Sequence, residues 1–234
     1  MAPRPPAVHE SRTKFLDAAL YVIRAKGYGA TRIEDVCAAA GLTKGSFFHH
    51  FKSKEDLALA AADHFAAMAD DVFAHAPYRA STDPLERLLG YVDFRIAILQ
   101  GRLPDYTCLL GTMVQETYDT HPQLREACDR HISAHAASVA EDVAEAKRRY
   151  APEAPWSPES LALFTQATIQ GAFILAKAKN GPEVAADCLQ HLKRYLETQF
   201  RPTRTARKTG GRQGNRRSRL DGKRAAHDSD GGKR

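Results

Sequence analysis

The sequence predicts an all-α protein. Three observations carry that fold class. Apolar residues recur at i, i+3, i+4 and i+7 through most of residues 9–200. Glycine, proline and Ser/Thr residues stand where such segments begin and end. No stretch of any length alternates apolar and polar residues as a half-buried strand would. The expected arrangement is an N-terminal three-helix unit containing a helix-turn-helix, followed by a larger helical domain.

From His9 to Lys26 one face carries Phe15, Ala18, Ala19, Val22 and Ile23, and Gly27 ends the helix. Thr31-Arg32-Ile33-Glu34 reads as a T-x-x-E capping box that starts a short helix with Ile33, Val36, Cys37 and Ala40 on one side. Gly41 stops it, Thr43 caps another short helix to about Phe51, and Ser53-Lys54-Glu55-Asp56 opens a longer one to about Ala74. Two short helices around Gly41-Leu42 form a helix-turn-helix pattern. Its steric demands are met: glycine at the bend, small Cys37 four positions earlier at the crossing, and Leu42 and Phe47 to fill the angle. Residues 79–84 read as a loop and Pro84 to about Leu103 as a helix, broken by Leu103-Pro104-Asp105. A short apolar helix then spans Tyr106 to Thr120. Pro122 starts a long one to about Tyr150, and Ser157-Pro158 starts another to about Lys179, ended by Asn180-Gly181. The last spans Glu183 to Phe200. The segments are therefore a flexible N-terminus at 1–8, the helix-turn-helix unit at 9–56 with a connecting helix to about 74, a second domain at 75–200, and a tail. Residues 201–234 hold one large aliphatic, Leu220, too little to offset ordering entropy, so a disordered basic tail is expected.

The net charge of +6 is unevenly placed: +5 over residues 1–54, −8 over 55–200 and +9 over 201–234. Basic ends around an acidic middle point to a polyanion meeting the ends. No run approaches the ~18 apolar residues of a membrane span, and the N-terminus lacks a signal-peptide apolar core. Cys37, Cys108, Cys128 and Cys188 are scattered without a CxxC pair. These features predict a cytoplasmic protein with reduced thiols and no membrane partner.

The N-terminal fifty-odd residues resemble the TetR family of bacterial transcriptional repressors. The likeness runs through Lys26-Gly27-Tyr28, the Thr31 segment, Ala38-Ala39-Ala40-Gly41, Thr43 to Phe51 (TKGSFFHHF) and Ser53-Lys54-Glu55-Asp56-Leu57. It implies a homodimer that binds a palindromic double-stranded DNA operator through the first domain. The second domain would bind a small-molecule effector and mediate dimerisation. A recognition helix presents its first residues to base edges and its flanks to phosphates. Thr43, Lys44, Gly45 and Ser46 stand at that leading end, with Thr31, Arg32, Phe48, His49, Lys52 and Lys54 placed for the backbone. The family usually has tyrosine where this chain has Phe48, so one hydroxyl–phosphate bond is absent. A solvated polar face is the bland alternative for any one of these residues.

Cys108-Leu109-Leu110-Gly111-Thr112-Met113-Val114-Gln115-Glu116 resembles a C-L-x-G-x-x-x-Q-E stretch in one TetR branch, some members of which respond to electrophiles or small unsaturated acids. The resemblance marks Cys108, Met113, Glu116 and Lys177 as effector-binding or sensing residues. A helix N-terminus and a nearby Lys177 would favour the thiolate, whereas free cysteine is more often a small buried hydrophobe. Small residues at helical spacing, including Ala167 and Gly171, and a stripe of Leu189, Leu192 and Leu196 are assigned to a four-helix dimer interface. No cofactor or metal site is expected: adjacent His49 and His50 point ~100° apart, and His131 and His135, at i and i+4, lack a third ligand. Catalysis is not expected either, since Cys108 has no evident base and orienter. The rival reading is an architectural DNA binder that uses its basic ends without sequence preference.

Overall fold

The computed structural model describes residues 8–200; the expected flexible N-terminus and the basic tail lie outside them, apart from Val8. Among the described residues the chain is helical with no strand. In order come α1 (Val8–Lys26), α2 (Ile33–Ala40), α3 (Lys44–His50) and α4 (Lys54–Ala74), then a 3-10 turn (Pro77–Ala80) and α5 (Pro84–Ala97). After them come α6 (Leu103–Tyr106), α7 (Leu109–Thr117), α8 (Pro122–Tyr150), α9 (Pro158–Lys179) and α10 (Glu183–Gln199).

Local chemistry explains the boundaries. Gly27 (φ 88°) and Gly41 (φ 66°) adopt the left-handed conformation after α1 and α2. Thr43, Ser53 and Ser157 cap α3, α4 and α9 by accepting from the amides of Ser46, Asp56 and Ser160. Two sequence expectations need correction. Thr31 does not cap α2: its hydroxyl donates to the Gly27 carbonyl at 2.6 Å, and the Asp35 carboxylate, not Glu34, accepts from the Arg32 amide. Leu103-Pro104-Asp105 begins a helical turn rather than simply breaking one. Gly101 (φ 83°) releases the chain after α5, and Asp105 then accepts from the Arg102 amide.

Two apolar clusters hold the chain together. Phe15, Ile23, Val36, Phe47 and Leu57 of the first four helices pack with Leu109 and Met113 of α7 and Leu124 of α8. Phe73 of α4 packs with Leu88, Val92, Val143, Ile169, Leu189 and Leu196 from α5, α8, α9 and α10. α4 and α8 enter both clusters, so movement of either reaches both ends of the protein. The second cluster is stapled by Asp142, 7 % exposed, which accepts from Arg79 Nη1 at 2.7 Å and Arg87 Nε at 2.8 Å. By length and composition α9 would suffice to cross a bilayer, although it holds no long unbroken apolar run; its inner face is core, with Ile169, Phe173 and Ala176 buried.

Candidate functional site

α3 is seven residues long, too short to be stable alone, so its position is set by its anchors. Phe47 is fully buried and meets Phe15 edge-on at 5.6 Å and 84°. Phe51, also buried, meets both rings. The His49-His50 pair divides accordingly: His50 turns inward, its Nε2 2.7 Å from Ser11 Oγ, while His49 is exposed. Burial, then the charges of His49 and Arg12, holds His50 below the usual imidazole range. The outward face retains Thr43, Lys44, Gly45, Phe48 and His49, with Ser46 partly exposed and Phe48 at 50 %. Arg32 and Lys52 flank it, both exposed.

Three of the basic and polar residues assigned to this face are tied up. Thr31 is 1 % exposed, and its hydroxyl serves Gly27. It is therefore part of the fold rather than the outer surface. Lys54 Nζ donates to the Tyr28 carbonyl at 3.0 Å and lies 4.3 Å from the Tyr28 ring centroid, which removes it from the outward set. Lys44 is exposed but reaches Glu34 Oε1 at 2.6 Å. That contact holds the Glu34 carboxyl below its usual range. Any anion that takes Lys44 must displace Glu34.

A cavity of about 300 Å³ lies where α1 and α4 meet the helices of the second domain. Leu20, Phe65, Ile98, Leu110, Ile132 and Phe173 supply apolar walls, and Arg24, Arg95, Tyr106, Cys108, His131, His135, Gln166 and Gln170 supply polar groups. Asp70 and Asp105 stand at the lining as exposed carboxylates. α1, α4, α5, α6, α7, α8 and α9 all contribute. A smaller pocket shares Thr107, Cys108, Gln170 and Phe173 with it and adds Gly111, Thr112 and Lys177. Cys108 is the N-cap of α7 and its Sγ accepts from the Gly111 amide at 3.4 Å. Lys177 donates to Thr112 Oγ1 at 2.6 Å, and burial lowers its pKa while the neighbouring Cys108 works against that shift. The structure thus gathers Cys108 and Lys177, as expected. Met113 is not with them, and Glu116 reaches Lys177 only through its charge. Met113 is fully buried in the N-terminal cluster, and Glu116 Oε2 accepts from the Gly29 amide at 2.7 Å. Both side chains make contacts between α7 and the first domain: five and eight positions along the helix from Cys108, they leave it on other faces or further along its axis.

Arg95, Tyr91, His135 and Gln166, which no sequence motif brings together, make the most connected polar group in this region. Arg95 Nε donates to Tyr91 Oη at 3.0 Å and Arg95 Nη2 to His135 Nε2 at 2.9 Å, while Gln166 donates to Tyr91 Oη at 2.9 Å. They come from α5, α8 and α9, so no local spacing announces them; the polar interruption of apolar helix faces by Gln166 and His135 was the available signal. Burial first, then Arg95 and Arg79, pushes the His135 pKa down to about 3. The folded pKa lies below the usual 6.5, so this stability contribution is present above pH 6.5 and lost as pH falls towards 3. Between pH 7 and 4.5 the loss is roughly 2–3 kcal/mol. His135→Gln, which keeps an acceptor, should flatten that part of the pH–stability curve in urea unfolding; parallel curves would show that His135 does not set it.

The assigned dimer stripe divides as well. Leu189, Leu192 and Leu196 are buried within the chain against α5 and α9 and so do not face outward, a correction to the sequence reading. The outward apolar surface instead surrounds exposed Ala167 and half-buried Gly171: Leu163, Phe164, Ile174 and Leu175 on α9 and Tyr195 on α10 are each 42–54 % exposed. No cluster of three metal-ligating side chains occurs among the described residues.

Comparison with known proteins agrees with both halves of this geometry. Residues 15–61 match the family model for bacterial regulatory proteins of the tetR family. Residues 84–192 match that for the tetracyclin repressor-like C-terminal domain. The HTH-type transcriptional repressor DhaR of Mycobacterium sp. (strain GP1) is 26 % identical over 172 residues, 74 % of this chain and 85 % of that protein. The transcriptional regulator AcuR of Cereibacter sphaeroides is 26 % identical over 186 residues, 78 % and 82 % of the two chains. A crystallised TetR transcriptional regulator from Chloroflexus aurantiacus superposes with a TM-score of 0.73 at 29 % identity, covering 84 % of this chain and 98 % of its own. With a buried-aromatic helix-turn-helix at one end and, behind it, a helical domain that helps line a cavity, this chain belongs to the TetR family and is a DNA-binding transcriptional regulator.

Proposed function

We propose that the protein is a homodimeric repressor that holds a palindromic operator and is released by a small molecule entering the cavity of about 300 Å³. The observation that carries this reading is the pairing of an outward polar face on α3 with that cavity, joined by α7. Cys108 at the start of α7 lines the cavity, and Glu116 near its end accepts from Gly29 in the loop between α1 and α2. Tyr28 in the same loop packs edge-on against His121, 5.2 Å away. Displacing α7 therefore moves the loop that leads into the helix-turn-helix. A ligand that binds one setting of α7 better than the other shifts the population between DNA-competent and released forms.

Lys44, Gly45 and Ser46 read base edges; Arg32, Phe48, His49 and Lys52 grip the backbone. The exposed apolar surface around Ala167 and Gly171 pairs two copies in a symmetric four-helix contact. An electrophile reacting at Cys108 is a second mode of the same release, favoured by the Gly111 amide beside the sulfur.

Glu34→Gln should tighten DNA binding by about two- to tenfold at low salt, because it frees Lys44 and removes an anion from the face that meets phosphate. Lys44→Ala should weaken it. Fluorescence anisotropy on a selected DNA fragment measures both, and equal affinities for Glu34→Gln and wild type would refute the competition. Glu116→Gln should leave DNA binding near wild type yet blunt release by effector. If release is undiminished, α7 does not work through this contact.

A further inference from the structure

We propose that the cavity takes an apolar-bodied monocarboxylic acid, with its carboxylate on Arg95 and a second polar contact to the Tyr106 hydroxyl. This rests on the effector-cavity reading above and specifies the ligand's chemistry.

Arg95 carries a positive charge with no carboxylate partner. Its described contacts are two neutral acceptors, Tyr91 Oη and His135 Nε2, and the faces of Phe73 and Tyr91, 4.2 and 5.3 Å from the guanidinium carbon. A guanidinium has five N–H donors, and these bonds use two, leaving three in a fixed fork. The nearby neutral groups orient that fork without cancelling its charge. Lowering of the His135 pKa keeps that ring uncharged near neutrality, so it accepts from Arg95 rather than repelling it. The exposed acids at the lining do not neutralise it: Asp105 faces Arg102, and Asp70 forms no ion pair among the described residues. Arg24, the other lining arginine, differs: the Asp105 carboxylate lies close enough to offset its charge, and its donors go to the carbonyls of Leu20, Asp105 and Thr107.

Tyr106 is the independent observation. It is 8 % exposed, it lines the same cavity, and its hydroxyl is the one buried side-chain polar atom among the described residues with no hydrogen-bond partner. A buried hydroxyl without a partner costs free energy until something accepts from it or donates to it. Gln170 adds an amide at the same lining with no described partner. An uncompensated guanidinium and an unpartnered phenol within apolar walls are the complement of a carboxylate on an aliphatic or aromatic body. A polyanion would exceed the single free charge, and a neutral hydrocarbon would leave both groups unsatisfied.

The test uses the full-length chain and a ladder of straight-chain and aryl-alkyl carboxylic acids of about four to about twelve carbons, each paired with its primary amide. Binding is read by calorimetry, and DNA release by anisotropy on a selected fragment. At least one acid should bind at least about tenfold more tightly than its amide and release the DNA. Arg95→Met should abolish that preference, and Arg95→Lys should keep part of it, having the charge without the fork. Tyr106→Phe should weaken the acid by a few-fold while raising, or leaving unchanged, the unfolding midpoint of the free protein, because the orphan hydroxyl is gone. If no acid in the ladder exceeds its amide, or if folded Arg95→Met keeps the preference, the proposal is overturned. Failure of the regulator reading is separate: the chain would then bind no DNA fragment selectively, whatever acids it binds.

Discussion

Phe47→Ala should abolish specific DNA binding and cost about 3–5 kcal/mol of folding stability. Phe47 is fully buried and is the ring on which α3 is hung, edge-on to Phe15 and in contact with Phe51. Alanine leaves a hole in the N-terminal cluster that a seven-residue helix cannot close. Stabilities of single domains are commonly 5–15 kcal/mol, so the expected loss is a large part of the total. Urea unfolding gives the stability change and anisotropy the DNA affinity. Phe47→Leu controls for volume and should retain most of both. DNA affinity equal to wild type in Phe47→Ala would mean that α3 is not what meets DNA.

Asp142→Ala should be comparably severe for stability while sparing the DNA-reading surface. The carboxylate is 10 % exposed and bridges Arg79 of the 3-10 turn to Arg87 of α5, with Glu145 also on Arg87. Removing it leaves two partly buried guanidinium groups short of their anion, a change that costs about 3–5 kcal/mol at fully buried sites. Arg79 is 32 % exposed, and solvent screening there places the expected loss near the lower end, about 3 kcal/mol. Asp142→Asn, which keeps the shape and one acceptor, should fall between. Double-variant cycles with Arg87→Met would measure the coupling. If Asp142→Ala unfolds at the wild-type urea concentration, the bridge contributes nothing to stability.

The helix order was legible because caps and stops are local. Thr43, Ser53, Ser157 and Asn180 end or begin helices where the sequence places them, and Pro122 and Pro158 open theirs. Errors arose where two local readings compete. Pro104 suits both a break and the first turn of a helix, and positive φ at Gly101 decides for the second. Thr31 satisfies a capping pattern, yet burial turns its hydroxyl back to Gly27.

The site divides in the same way. The face of α3 follows from a short helix with two buried rings, so Lys44, Ser46, Phe48 and His49 could be placed from sequence. The diversion of Lys54 to Tyr28 depends on residues 26 positions apart and could not. The cavity was hidden for a stronger reason: Arg95, His135 and Gln166 meet only when α5, α8 and α9 pack. Leu189, Leu192 and Leu196 show the converse. An apolar stripe identifies a buried face but not what buries it, and here α5 and α9 of the same chain do so.

In the proposed function, α3 binds DNA sequence-specifically under control of the cavity. The most direct test is selection of bound genomic fragments by the purified full-length chain at physiological salt, followed by nuclease footprinting of the enriched fragment. The expected footprint is one discrete, two-fold symmetric protected site, with half-sites centred about one or more helical turns apart. Binding should exceed that to unrelated DNA by at least about a thousandfold at equal salt. Uniform protection of all fragments, vanishing with modest salt, would contradict it and leave a nonspecific polyanion binder in its place.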